Sequence, residues 1–101
     1  MIVEYIRYEL NQNSAEALVL AYRDAGEHLK LAPQCQGYEL TVCEEAPSSV
    51  ILRILWTSTT DHLEGFRKGP HFLAFFQAIK PFVGEIAEMR HYRQTGVSWV
   101  K

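Results

Sequence analysis

Residues 35–56, CQGYELTVCEEAPSSVILRILW, decide how the rest of the chain must be arranged. CQGYELTVCEE and SVILRILW are rich in aliphatic, aromatic and β-branched residues, and the turn-forming APSS separates them, so they read as two strands of a β-hairpin. In the second strand Val50, Leu52, Ile54 and Trp56 alternate with Ile51, Arg53 and Leu55, the period of 2 that gives a sheet two distinct faces.

Working outward, each side of the hairpin carries one helical region and one further strand. Upstream, MIVEYIRYEL reads as a strand and NQN breaks it. Asn13 with Glu16 three residues later predicts a capping pair for a helix in which Ala15, Leu18, Val19, Tyr22, Gly26 and Leu29 share a face. That helix ends near Leu31, ahead of Pro33. Downstream, Ser58 or Thr60 can cap a short helix running through Phe66, and Gly69-Pro70 stops it and restarts a second segment. There Phe72, Phe75, Phe76, Ile79, Phe82 and Val83 form an apolar stripe at helical spacing, which Gly84 ends. IAEMRHYRQ reads as a last strand, followed by the tail TGVSWVK. The order β-α-β-β-α-β predicts one ferredoxin-like α+β domain over residues 1–101, with a four-stranded antiparallel sheet and both helices on one face.

Sheet faces carry the next inference. In the first strand Ile2, Ile6, Tyr8 and Leu10 alternate with Val3, Tyr5, Arg7 and Glu9. One face is apolar; the other mixes aliphatics with Tyr and Arg. An open sheet exposing Val3, Ile51 and Leu55 calls for a cover, and a second copy is the natural one, so a homodimer through sheet faces is expected. Arg7, Arg53 and Arg90 would then meet Glu39 and Glu88 in a half-buried ion-pair layer that fixes register. A 101-residue chain has a modest core, which also favours a partner subunit.

Composition narrows the function classes. The chain is 48% hydrophobic and 22% charged, with 10 basic and 12 acidic residues and a net charge of -2, so it lacks the basic footprint expected for nucleic acid or an anionic membrane. No apolar run is long enough to span a bilayer or form a signal-peptide core, and a cytoplasmic setting is expected. Cys35 and Cys43 lie eight apart on one predicted strand, too far for a disulfide, and with no His at ligand spacing they suggest no structural zinc. The sequence has no nucleophile-elbow motif and no Gly-rich phosphate loop, which argues against hydrolase and nucleotide chemistry.

With this order, the strand ILRILW ending in Trp56, the helical HLEGFRKGPHFLAFF and the closing EMRHY, residues 2–93 resemble the antibiotic biosynthesis monooxygenase (ABM) family of dimeric α+β barrels. The resemblance implies a homodimer with facing sheets and a ligand cavity between helices and sheet in each subunit. It also implies oxidation of phenolic, quinol or polycyclic aromatic substrates by dioxygen without metal, flavin or haem. A haem-degrading branch uses an Asn, a Trp and a His whose positions fall here on Ile6, near Gly65 and on Phe76, so that set is absent. Many quinol-type relatives carry His where this chain has Phe66, while their PHF is present with His71.

Candidate residues follow, each with two readings. His62, one helical turn before Phe66, can serve as general base near neutral pH or be a half-exposed histidine at a helix start. His71, at a predicted helix N-terminus, can hydrogen-bond a ligand oxygen or only solvate the helix start. Trp56 can line a pocket for a flat aromatic or belong to the core, where its indole N–H needs a partner. Phe66, Phe72 and Phe76 are core or cavity wall. Tyr5, Arg7, Arg53, His91 and Tyr92 place polar groups on strands; Arg53 could hold an oxyanion or pair with Glu39 or Glu88. The leading expectation is a cofactor-free monooxygenase with His62 or His71 as base. Its rival is a non-catalytic small-molecule-binding or interaction dimer, and haem bound by His62 or His71 is a third possibility.

Overall fold

The computed structural model describes all 101 residues. Strands β1 (Ile2–Glu9), β2 (Cys35–Val42), β3 (Ser49–Trp56) and β4 (Ile86–Arg93) form one antiparallel sheet in the order β2-β3-β1-β4. Helices α1 (Ala15–Leu31) and α2 (Phe72–Ile79) connect them, with a π-helical turn at Asp61–Phe66 before α2 and a 3-10 turn at Lys80–Glu85 after it. This is the expected ferredoxin-like arrangement. No helix is long and apolar enough to cross a membrane.

The core lies between the helices and one sheet face. Val50, Leu52, Ile54 and Trp56 are buried, as their alternation predicts, together with Ile6 and Tyr8 of β1 and Leu18, Tyr22, Ala25 and Leu29 of α1. Tyr8 and Tyr22 bond hydroxyl to hydroxyl at 2.6 Å inside this layer, and burial holds the Tyr8 phenol up at about 12. Gly26 on α1 faces Tyr38 of β2, whose ring and hydroxyl occupy the space that any side chain at position 26 would need. Both cysteines are free thiols.

Local signals were read with two shifts. Ser14, not Asn13, caps α1 by accepting the Ala17 N–H at 3.1 Å. Asn13 is drawn away by Glu85, whose carboxylate takes the N–H groups of Asn11, Gln12 and Asn13 and the Asn13 side-chain amide. Those donors, Asn11 first, hold the Glu85 carboxyl below its usual range. At the second site Ser58 does the capping, accepting the Asp61 N–H, while Thr60 makes no side-chain cap bond. Gly69 separates the turn from α2 because a side chain there would strike the Gly65 carbonyl.

The open face differs in detail from the expectation. Val3 is buried within the monomer, and Ile51 and Leu55 are half-buried. Tyr5 and Tyr92, the latter opposite Val3 in register, meet edge to face with ring centroids 5.4 Å apart. Arg53 sits opposite Glu39 in register and Arg7 opposite Glu88, yet neither of these cross-strand pairs is closed; Arg7 binds Glu9 at 2.6 Å and Arg90 lies 3.8 Å from Glu88. Within the single chain the ion pairs on this face join side chains two apart on one strand, which share a face because successive side chains alternate.

Candidate functional site

Between the sheet and the segment from the π-helical turn to the start of β4 lies a cavity of about 190 Å³. Its wall is mostly apolar, built by Ile6 and Ile54 from the sheet and by Phe72, Phe75, Phe76 and Ile79 from α2. Phenylalanine rings continue edge to face from Phe66 to Phe72 and Phe75, 5.7 and 5.5 Å apart. This is the stripe read from the sequence, with Phe75 and Ile79 buried in the core and Phe72 and Phe76 half-buried at the cavity.

At the polar end stand Glu4, Trp56, His62 and Arg67. The π-helical turn, closed by the Arg67 N–H to the His62 carbonyl at 3.0 Å, directs His62 inward over Trp56. The two rings stack at 4.3 Å with 11° between planes. The Trp56 indole N–H donates to Glu4 Oε1 at 3.0 Å, which supplies the partner its burial requires. His62 Nδ1 and His91 Nε2 share a hydrogen bond at 2.8 Å, and His62 Nε2 lies 3.7 Å from Glu4 Oε1. Glu4 Oε2 is buried and has no partner.

Burial opposes charge on each of the three titratable groups gathered here. Burial raises the Glu4 carboxyl, against the opposing pull of the Trp56 hydrogen bond and of Arg67. Burial, then Arg67 and His91, pushes the His62 imidazole down to about 3. Burial followed by Arg67 lowers His91 as well. Glu4 and His62 are thus a polar contact between groups that resist charge, and their proximity is no ion pair. Glu4, His62 and His91 also each offer a ligand atom within 4.8 Å of the others. A shared metal ion would need these atoms to converge, whereas His62 turns one ring nitrogen toward each neighbour.

Of the residues expected from the sequence, His62, Trp56, Phe66, Phe72 and Phe76 are brought together here. His71 is not: it begins α2 without making a side-chain cap bond, and it lines a separate depression with Pro33, Gln34 and Gly69. Tyr5 and Arg53 lie on the opposite sheet face, beside the tail residues Thr95 and Val97. Being odd-numbered on strands whose even-numbered residues face the helices, they point away from the cavity. His62 is also buried, 3% exposed, where a half-exposed position was the alternative. The sequence reading passed over Glu4 and Arg67. Glu4 was detectable, because period 2 places it between Ile2 and Ile6 on the apolar face, where a charge is an anomaly.

The model of the antibiotic biosynthesis monooxygenase family matches residues 1–78. The chain belongs to this family. Among solved structures, an ABM family protein from Bordetella bronchiseptica superimposes with a TM-score of 0.75 at 21% identity, over 93% of this chain and 96% of that one. One from Nitrosomonas europaea gives 0.68 at 16% identity, over 97% and 100%. A variant of SnoaB, a cofactor-independent oxygenase from Streptomyces nogalater, gives 0.70 at 17% identity, over 96% and 97%. At these identities the ABM likeness in structure is one of fold. Among curated proteins no sequence match is found.

Proposed function

We propose that this ABM protein is a monooxygenase or oxidase that uses dioxygen on a phenolic or hydroquinone-type aromatic substrate, with the substrate itself supplying the electrons. The observation that carries the reading is the cavity: a wall of aromatic and aliphatic side chains ending in acid–base groups beside the Trp56–His62 stack. An aromatic ring fits such a wall, and a hydroxyl placed at the polar end can lose its proton, which makes the ring electron-rich enough to reduce dioxygen. A hydroquinone and dioxygen then give a quinone and hydrogen peroxide. Where one oxygen atom is retained, a ring methylene becomes a carbonyl and water leaves. The cavity's size, about 190 Å³, compares with roughly 150 Å³ for a cavity that accepts benzene, which favours one- or two-ring substrates over larger polycycles. SnoaB, which shares the fold, is a cofactor-independent oxygenase and supports the absence of an added cofactor in this reading.

His62, Trp56, Phe66, Phe72 and Phe76 form the substrate site, and His71, Arg53 and Tyr5 stand outside it. The open sheet face, with half-buried Ile51 and Leu55, joins a second copy to make the homodimer. Oxygen uptake with reduced menadione tests the activity. Uptake above the buffer rate that His62→Ala abolishes and His71→Ala leaves in place is the expected result. Binding of quinol without uptake would instead establish a non-catalytic binding protein.

A further inference from the structure

Three titratable groups form a line from the cavity to the surface. Glu4 and His91 are cross-strand partners on β1 and β4 and project to the same side of the sheet. His62 stands between them, with Nε2 toward the carboxyl and Nδ1 toward His91. Glu4 and His62 are buried, whereas His91 is only half-buried and ends the line next to solvent.

We propose that Glu4 is the catalytic base that takes the hydroxyl proton of the aromatic substrate, and that His62 and His91 pass this proton on to solvent. The inference rests on the reading of the cavity given above. His62 is poorly placed to be the base itself: the Trp56 stack holds its ring in plane and both of its nitrogens face other side chains. Glu4 lines the cavity, its Oε1 is taken by the Trp56 indole, and its Oε2 is the buried acceptor left open. Burial, by raising the carboxyl, also makes its ionised form a stronger proton acceptor. The charged and titratable groups that act on Glu4 are Arg67 from the turn and His62; Tyr8 and Tyr22 feel it from β1 and α1.

The proton balance closes without a further reactant. The substrate O–H bond breaks, the proton bonds to Glu4 Oε2, and the electron pair stays on the phenolate oxygen. His62 Nε2 lies 3.7 Å from Oε1, so the proton comes into hydrogen-bond range once the carboxyl turns to put Oε2 in the place of Oε1 and closes about 1 Å of that gap. With its resting proton on Nδ1, His62 releases that one to His91 Nε2, and His91 releases its own Nδ1 proton to water. Glu4 is again a carboxylate, both histidines now carry their proton on Nε2 and return to the Nδ1 form by proton exchange with solvent before the next turnover, and no electron has moved.

Two measurements test this on the full chain. In the first, 4-nitrophenol is titrated into the protein, because its ionisation is visible and it does not require dioxygen. Wild type should bind it as the phenolate and release a proton to the buffer, while Glu4→Gln, which keeps the shape of the side chain, should bind it as the neutral phenol. In the second, oxygen uptake with reduced menadione should fall on the order of a hundredfold in Glu4→Gln with KM little changed. It should fall about tenfold in His91→Gln and recover with added imidazole, which a purely structural role for His91 would not produce. Phenol binding with the same ionisation in Glu4→Gln, or full uptake in His91→Gln, overturns the relay alone. Failure of wild type to bind any phenol overturns the cavity reading, and the relay with it.

Discussion

Replacing His62 with Phe should make the fold less sensitive to acid. His62 is buried, and its imidazole is pushed from 6.5 down to about 3, chiefly by desolvation. The folded protein therefore keeps it neutral at pH values where the unfolded chain would protonate it. A lowered histidine pKa leaves stability intact above about pH 6.5 and removes it as pH falls toward 3. Over the roughly 2.5 pH units between 6.5 and 4, at about 1.4 kcal/mol each, the loss is about 3 kcal/mol, a large share of the 5–15 kcal/mol typical of a domain. His91 acts in the same direction, whereas Glu4, whose carboxyl is raised, is relieved by acid. Both remain in His62→Phe, and the new ring can still stack on Trp56, so comparing the two proteins isolates the imidazole. Urea unfolding at pH 7 and pH 4, followed by circular dichroism, gives the four free energies. Wild type should lose about 3 kcal/mol more than the variant between the two pH values. Equal losses would refute the claim that this imidazole is held neutral by its surroundings.

Three other places in the structure give definite expectations. Tyr22→Phe leaves the Tyr8 hydroxyl buried without its 2.6 Å partner and should cost about 1–2 kcal/mol in urea unfolding, whereas Tyr8→Phe with Tyr22→Phe should lie closer to wild type than either single change. Ser14→Ala removes the α1 cap and should cost about 1 kcal/mol, while Asn13→Ala should leave the helix start intact by amide exchange. Leu55→Glu places a charge on the open sheet face and should convert a dimer to a monomer by light scattering at micromolar protein; a monomeric wild type would contradict the covered-face argument.

The fold was legible because its signals were local and repeated. Val50 to Trp56 could only be a strand with one buried face, and Gly69-Pro70 could only divide two helical segments. Where local signals competed, distant groups decided: Asn13 had the chemistry of a cap, but Glu85, 72 residues away in sequence, claims its donors. The candidate site was legible in its rings and in His62 for the same reason, since helical spacing brings them to one side. Glu4 was passed over, although its neighbours Ile2 and Ile6 already placed it inward. That His91 completes the line depends on the register of β4 against β1, which the two strands' sequences do not specify by themselves.

The contact between Gly26 and Tyr38 bears on how this sequence can change. Tyr38 keys an edge strand into a notch in α1, so alanine at position 26 is blocked while the tyrosine is there, and is admitted once position 38 carries a short side chain. Neither step alone keeps the joint filled: one collides, the other leaves a gap. Variation at these two sites should therefore be correlated, and a grafted α1 taken from another chain will dock on this sheet only if it carries the notch or the sheet gives up its key.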